Sequence, residues 1–199
     1  GYRSNFDKKD EVADPGYYSV LLKDYGVKAE LTATKRVGFH RYTYPESKQS
    51  NLIFDIGNKQ GESGEVTDAW VRYTPDGRIE GYVVTSPVYV NIYQKGASVR
   101  MYSSAVVDKK PEQVGTFIKN KVTVGQTEVK GPGAGLYLTF PTHKDEAVEV
   151  KIGLSYTSIE NARLNMDEEA ADLNFDLAHK QATTIWNNSL GRISVEGGK

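Results

Sequence analysis

Val148-Glu149-Val150-Lys151-Ile152-Gly153-Leu154-Ser155-Tyr156 is the run that decides the fold. Apolar side chains stand at every second position, from Val148 through Val150, Ile152 and Leu154 to Tyr156. Successive strand side chains point to opposite faces, so this period of two predicts a β-strand with one dry face. The same signature recurs upstream. Val27, Ala29, Leu31 and Ala33 alternate with Lys28, Glu30, Thr32 and Thr34. Tyr17 to Lys23 is rich in Tyr, Val and Leu, and Asp24-Tyr25-Gly26 supplies a turn, so this pair reads as a hairpin. Val37 to Tyr44 forms a third run, closed by Pro45, which cannot donate to a ladder. Leu52 to Ile56, the alternation of Val88, Val90 and Ile92 with Tyr89, Asn91 and Tyr93, and Leu136 to Phe140 are further strands. Thr74-Pro75-Asp76-Gly77 is a turn with Pro second and Gly fourth. Gly131-Pro132-Gly133-Ala134-Gly135 reads as a hairpin loop, since a strand and not a helix follows it. Many short strands at close spacing predict a mainly β protein, an antiparallel sandwich. No helical pattern interleaves them, which excludes a parallel α/β sheet.

The period changes after Tyr156. Thr157 and Glu160 match a capping box, and Ile159, Ala162 and Met166 recur at helical spacing. A second helix is predicted from about 175 to 190, with Phe175, Ala178, Ala182, Ile185, Trp186 and Leu190 on one face and Gly191 as its stop. Trp186 reads as a core anchor, and Ile193 with Val195 as a last short strand. The first 15 residues, polar and charged, read as an arm.

Composition narrows the class. The chain has 199 residues, 25 Lys+Arg against 26 Asp+Glu, and a net charge of −1. That size suits one domain, or one domain with an appendage. The charge balance excludes a nucleic-acid binder, which carries a basic stripe. No run approaches the length of apolar sequence that spans a membrane. Cysteine is absent, which removes disulfides, thiolate metal sites and thiol nucleophiles. Tyr, by contrast, is abundant at 13 residues, in keeping with half-exposed sheet faces.

Candidate chemistry is sparse. His40, His143 and His179 show no metal-ligand spacing. Asp7, Asp10, Glu11 and Asp14 cluster in the arm, and Asp167, Glu168 and Glu169 at a helix end. Both clusters read as solvated charge, and the remaining carboxylates as exposed strand faces, where nothing raises a pKa for acid catalysis. Asn187-Asn188-Ser189 matches a glycosylation pattern but falls on a helix. Tyr17, Tyr42, Tyr44, Tyr89 and Tyr93 offer faces on which sugars stack, or cross-strand pairs within the sheet.

Several runs together resemble one family. They are Glu11-Val12-Ala13-Asp14-Pro15-Gly16-Tyr17-Tyr18, Asp24-Tyr25-Gly26, Ala29-Glu30-Leu31-Thr32-Ala33-Thr34, Arg36-Val37-Gly38 and His40-Arg41-Tyr42-Thr43. Later come Gly77-Arg78-Ile79-Glu80-Gly81, Val150 through Tyr156, Ser158 through Asn165, and Trp186-Asn187. Their order and spacing resemble glycoside hydrolase family 92, the calcium-dependent exo-acting α-mannosidases common in gut Bacteroidetes. The stretch 96–130 carries little of the likeness. The resemblance implies a β-sandwich of the supersandwich type over residues 1–156, truncated at its N-terminal side. It implies two linker helices over 157–199, leading toward an (α/α)6 catalytic barrel. It further implies that the acid, the base and the calcium ligands belong to that barrel, so no catalytic residue and no metal ligand is expected here. Substrate-binding residues are left open. The expected role is a non-catalytic domain that packs on the barrel and helps wall a mannose pocket, in a periplasmic or secreted parent. A mannose-containing glycan and the barrel are the expected partners, with self-association expected through exposed sheet edges. The alternative is an independent carbohydrate-binding or structural surface domain.

Overall fold

The deciding run forms β13, Glu146–Ser155, the middle strand of a nine-stranded sheet. It pairs antiparallel with β4 (Val37–Tyr44) on one side and β8 (Val99–Val107) on the other. Beyond β4 lie β3 (Val27–Ala33), β2 (Tyr17–Leu22) and β1 (Glu11–Asp14). Beyond β8 lie β7 (Ile79–Ser86), β6 (Glu65–Tyr73) and β11 (Glu128–Lys130). A second sheet orders β10 (Lys121–Val124), β9 (Gln113–Ile118), β12 (Ala134–Thr142) and β5 (Ser47–Asp55). Every pairing is antiparallel. The protein is thus an antiparallel β-sandwich, with α2 (Ile159–Ala170) and α3 (Phe175–Leu190) forming a third layer. This computed structural model describes residues 3–198 apart from Gln60, Glu62 and Ser63. Gly1 and Tyr2 of the arm and Lys199 of the linker therefore lie outside the described residues.

Two apolar clusters hold the layers together. Between the sheets, Val148 and Val150 of β13 pack with Leu136, Leu138 and Phe140 of β12 and with Ala69 and Val71 of β6. On the other face of the large sheet, Val37 and Phe39 meet Met166, Ala170, Phe175 and Ala178 of the helices. Phe175 is fully buried, which contributes about 1.5–3 kcal/mol. The β13 alternation holds through Val150 and then inverts. Gly153 and Ser155 are buried, while Leu154 and Tyr156 are 37% and 72% exposed. The cause is α2, which crosses so closely that a Cβ on Gly153 would stand 2.2 Å from the Ala162 carbonyl oxygen.

Several sequence expectations need correction. The arm is partly ordered: a short 3-10 turn, Lys8–Asp10, leads into β1, which pairs with β2 across Asp14-Pro15-Gly16. Gly16 takes φ +85 there. Val88–Tyr93 is a helix, α1, and not a strand. Its six residues are apolar but for Asn91, so a period of two and a period of 3.6 fit equally. Asn91 decides by donating from Nδ2 to the Pro87 carbonyl oxygen at 3.0 Å, and among the described residues no strand pairs with the segment. The Gly131–Gly135 stretch is not a hairpin loop. It carries the chain from β11 in one sheet to β12 in the other. Ser158, rather than Thr157, caps α2, its hydroxyl accepting from the Asn161 N–H at 3.1 Å. Only Phe175, Ala178 and Ala182 of the predicted α3 face are buried. Trp186 is 47% exposed, packed against Gly16, and Ile193 and Val195 form no strand.

Candidate functional site

The five tyrosines singled out from the sequence divide among three places. Tyr42 and Tyr44 project from β4 into a cleft of about 1020 Å³ at the open side of the sandwich. Leu22 of β2 and Val27 of β3 continue that wall, and Tyr25 stands in the turn between those strands. Ser50, Leu52 and Ile53 of β5, with Tyr137 of β12, form the opposite wall. Tyr17 instead faces the helical layer, stacked on His179 at 4.2 Å. Tyr89 and Tyr93 stand on α1, 61% and 89% exposed. Tyr25 and Tyr137 were not singled out. Tyr137 alternates with Leu136 and Leu138 on β12, a period-two position that could have been read.

Tyr42 and Tyr44 keep their phenol protons near neutrality. Burial pushes Tyr42 up to about 12, and its hydroxyl lies 2.9 Å from His40 Nδ1. Burial likewise raises Tyr44 and lowers His40, which is therefore neutral near pH 7. Tyr44 donates to the Asn51 carbonyl oxygen at 3.1 Å. This contact belongs to a set that blunts the β5 edge. Ser47 Oγ accepts from the Gln49 N–H at 3.0 Å, and Asn51 Nδ2 donates to the Gln49 carbonyl oxygen at 3.2 Å. Backbone groups so occupied are poor templates for another strand.

Among the described residues, the two carboxylates most removed from water are elsewhere, beneath the helical layer, where the sequence reading expected exposed strand faces. Glu30 of β3 is 6% exposed and Glu80 of β7 fully buried. Burial by itself would raise Glu30, but hydrogen bonds from Arg41, Tyr17 and Lys28 outweigh it and hold the group at about 2. Arg41 also bonds Asp176 of α3 at 2.8 Å and lies 4.3 Å over the Phe175 ring. Glu80 likewise takes bonds from Arg163 of α2 and, at 3.0 Å, from Arg72 of β6. These outweigh its burial and lower its pKa. The expectation that carboxylates occupy only charged arms and exposed strand faces is therefore wrong for this pair. They are clamps between sheet and helices. A carboxyl held this low keeps no proton to donate near neutrality, so neither serves as a general acid.

The other candidates are scattered. Glu11 accepts from the Tyr18 hydroxyl at 2.8 Å, Asp7 bonds Lys23, and Glu168 and Glu169 share Arg36. The three histidines lie apart, His143 with its backbone N–H on the Glu146 carboxylate at 2.7 Å. Calcium requires about six to eight oxygens. Among the described residues no three His, Asp or Glu side chains converge. Glu30, Glu80, Glu168 and Glu169 are already engaged by arginines, so the donor set here does not fit that ion.

Comparison with known families decides the lineage. Residues 1–155 match the family described as the Glycosyl hydrolase family 92 N-terminal domain. The chain belongs to glycosyl hydrolase family 92. Solved structures agree with this membership. The family GH92 alpha-mannosidase BT3965 from Bacteroides thetaiotaomicron is 29% identical with a TM-score of 0.86, the match covering 100% of this chain and 26% of that one. The gh92 family glycosyl hydrolase ccman5 is 27% identical, TM-score 0.82, with 98% and 26% covered. The family GH92 inverting mannosidase BT2199, also from Bacteroides thetaiotaomicron, shares the fold at 24% identity, TM-score 0.80, with 98% and 25% covered. The chain thus spans about a quarter of the length of these relatives. No curated protein matches it. Within the family 92 domain, no helix among the described residues is long and apolar enough to cross a membrane.

Proposed function

We propose that this chain is the non-catalytic N-terminal domain of an exo-acting α-mannosidase, packing on a catalytic barrel and helping to wall the mannose pocket. The observation that carries the reading is the apolar surface left exposed on the helical layer. Leu164 of α2, Leu177, Ile185, Trp186 and Leu190 of α3, and Ile193 and Val195 beyond it are between 46% and 85% exposed. Apolar side chains gathered on one layer mark a surface that another body covers. α1 adds Val88, Tyr89, Ile92 and Tyr93, each more than 60% exposed. Membership of family 92, and a match to about a quarter of the length of solved mannosidases, support a catalytic domain as that body. On this reading residues 1–156 form the sandwich domain and 157–199 the linker toward the barrel. The calcium of the family belongs to the barrel, and the parent works in the periplasm or outside the cell.

Inverting hydrolysis needs a protonated acid and a base carboxylate roughly 6.5–9.5 Å apart around a water. The buried carboxylates described above are tied to arginines and supply neither. Purified chain incubated with an α-linked mannobiose and calcium is expected to release no mannose. Release that survives repurification and disappears in Glu11→Gln or Glu80→Gln would overturn the assignment.

A further inference from the structure

We propose that the free edge of β10 is a docking site for an extended peptide strand that carries acidic side chains. This is independent of the docking role above, and β10 lies in the 96–130 stretch that carries little of the family likeness. β10 closes one end of the small sheet and pairs with β9 alone. The register sets Lys121 opposite Ile118, Val122 opposite Phe117, Thr123 opposite Thr116 and Val124 opposite Gly115. Just beyond, the Gly125 N–H donates to the Val114 carbonyl oxygen at 2.9 Å. Bonded positions alternate along an antiparallel pair, so Thr123 and Lys121 also turn their N–H and C=O toward β9. Val122 and Val124 turn theirs outward, and no hydrogen bond occupies them among the described residues. Side chains blunt the β5 edge, whereas among the described residues none does so on β10. All four β10 residues are exposed, Val122 at 59% and Val124 at 65%.

An added strand would gain main-chain bonds at Val122 and Val124, the source of affinity in strand addition. Charge selects its chemistry. Lys119 and Lys121 are the only charged residues between 113 and 127. Both are exposed, and neither makes an ion pair among the described residues. Lysines on an edge repel a like edge and attract a carboxylate. Directly opposite residues share a face. An antiparallel partner therefore places apolar side chains opposite Val122 and Val124, and a carboxylate opposite Lys121. A second copy answers this less well. Two-fold pairing about Thr123 sets Lys121 opposite Gly125 of the second copy, so the lysines meet no carboxylate. Four residues a side also fall far short of the roughly 20–30 that a standard interface uses.

Amide NMR on the purified, isotope-labelled chain tests this with the peptide acetyl-Val-Thr-Val-Glu-Val-Glu-amide, and with acetyl-Val-Thr-Val-Lys-Val-Lys-amide as the control. A few main-chain bonds and exposed charge pairs predict a Kd of about 1 mM, tightening as salt is lowered. The expected result is saturable shifts confined to β10 and its 119–120 turn. At several times Kd, exchange of the Val122 and Val124 amides should slow about fivefold. The lysine peptide should bind at least about threefold more weakly at low salt, and Lys121→Glu should reverse that preference. Val124→Pro removes an outward N–H and leaves the β9 ladder intact, as edge positions allow, so it should abolish most of the binding. N-methylation of the peptide valines that face Val122 and Val124 should do the same with the protein unchanged. The proposal is overturned by absent shifts at several times the expected Kd, by shifts centred elsewhere, by equal affinity for the two peptides, or by N-methylated peptide that binds as well. It is overturned equally if the chain sediments as a dimer that Val124→Pro dissolves, which would assign the edge to a second copy.

Discussion

Arg163→Met isolates the clamp that ties α2 to the large sheet. Glu80 is fully buried, and its partners Arg72 and Arg163 have side chains 42% and 39% exposed. The substitution keeps an apolar stem and removes the Nε donor to the carboxylate. Stranding a buried charge costs about 3–5 kcal/mol when nothing replaces its partner. Here Arg72 remains at 3.0 Å, and the gap left by a part-exposed Arg163 admits water. The cost therefore falls below that range, at about 2–3 kcal/mol. At about 2–4 °C per kcal/mol for a chain of this size, the melting temperature should fall by about 4–12 °C. If the cost is the stranded charge, adding Glu80→Gln should restore at least about 1 kcal/mol, so the two changes would not add. The pH dependence supplies an independent sign. Glu80 in the native protein is held below its ordinary 4.5. Its stabilisation is therefore present above pH 4.5 and is lost as pH falls through the folded value. In Arg163→Met the carboxyl should shift upward, reversing the sign, so the gap from wild type should narrow as pH is lowered from 7 toward 4.5. Thermal melts give the melting temperature, and urea unfolding followed by circular dichroism gives the non-additivity and the pH dependence. A strictly additive double variant, or a gap that widens on acidification, would refute the stranded-charge argument.

Other outcomes follow from single contacts. Ser158→Ala should cost about 1 kcal/mol by removing the α2 cap, and Thr157→Ala markedly less, in the same unfolding assay. Gly153→Ala should destabilise by about 1–3 kcal/mol and speed amide exchange in α2, because its Cβ would stand 2.2 Å from the Ala162 carbonyl oxygen. Glu30, at about 2 in the folded state, contributes stability above pH 4.5 that is lost as pH falls toward 2. Glu30→Gln should remove that part of the acid-unfolding curve.

Strands whose two faces differ in polarity were the legible ones. β3 and β4 follow the alternating or apolar runs read from sequence, and the 74–77 turn closes on a Gly77 N–H to Thr74 carbonyl bond of 2.9 Å. Legibility failed where a pattern had no contrast. The Val88–Tyr93 segment is almost uniformly apolar, so its period cannot be read, and a single Asn91 bond chose the helix. It failed again where tertiary cover reversed a face. Lys28, Glu30 and Thr32 read as the wet side of β3, yet Glu30 and Thr32 are 6% exposed beneath α3. An amphipathic helix at the end of the chain announces that some sheet face will be covered, but not which one. The cleft was half legible. Tyr42 and Tyr44 were candidates, but the pairing that brings β5 and Tyr137 opposite them is non-local and leaves no mark in any one segment. Self-association through sheet edges is expected of a sandwich cut from its barrel, and the bonds that blunt the β5 edge come from side chains of Tyr44, Ser47 and Asn51, which no strand pattern reveals.

The central claim is that the helical layer docks on a catalytic domain. Hydrogen exchange on this chain, alone and mixed with the polypeptide encoded directly downstream of it, tests that most directly. The account predicts a downstream open reading frame rich in helical repeats. Its addition should slow exchange in residues 177–195, and around 88–93, by at least about tenfold. Unchanged exchange across the helical layer, or a stop codon directly after Lys199, would contradict it.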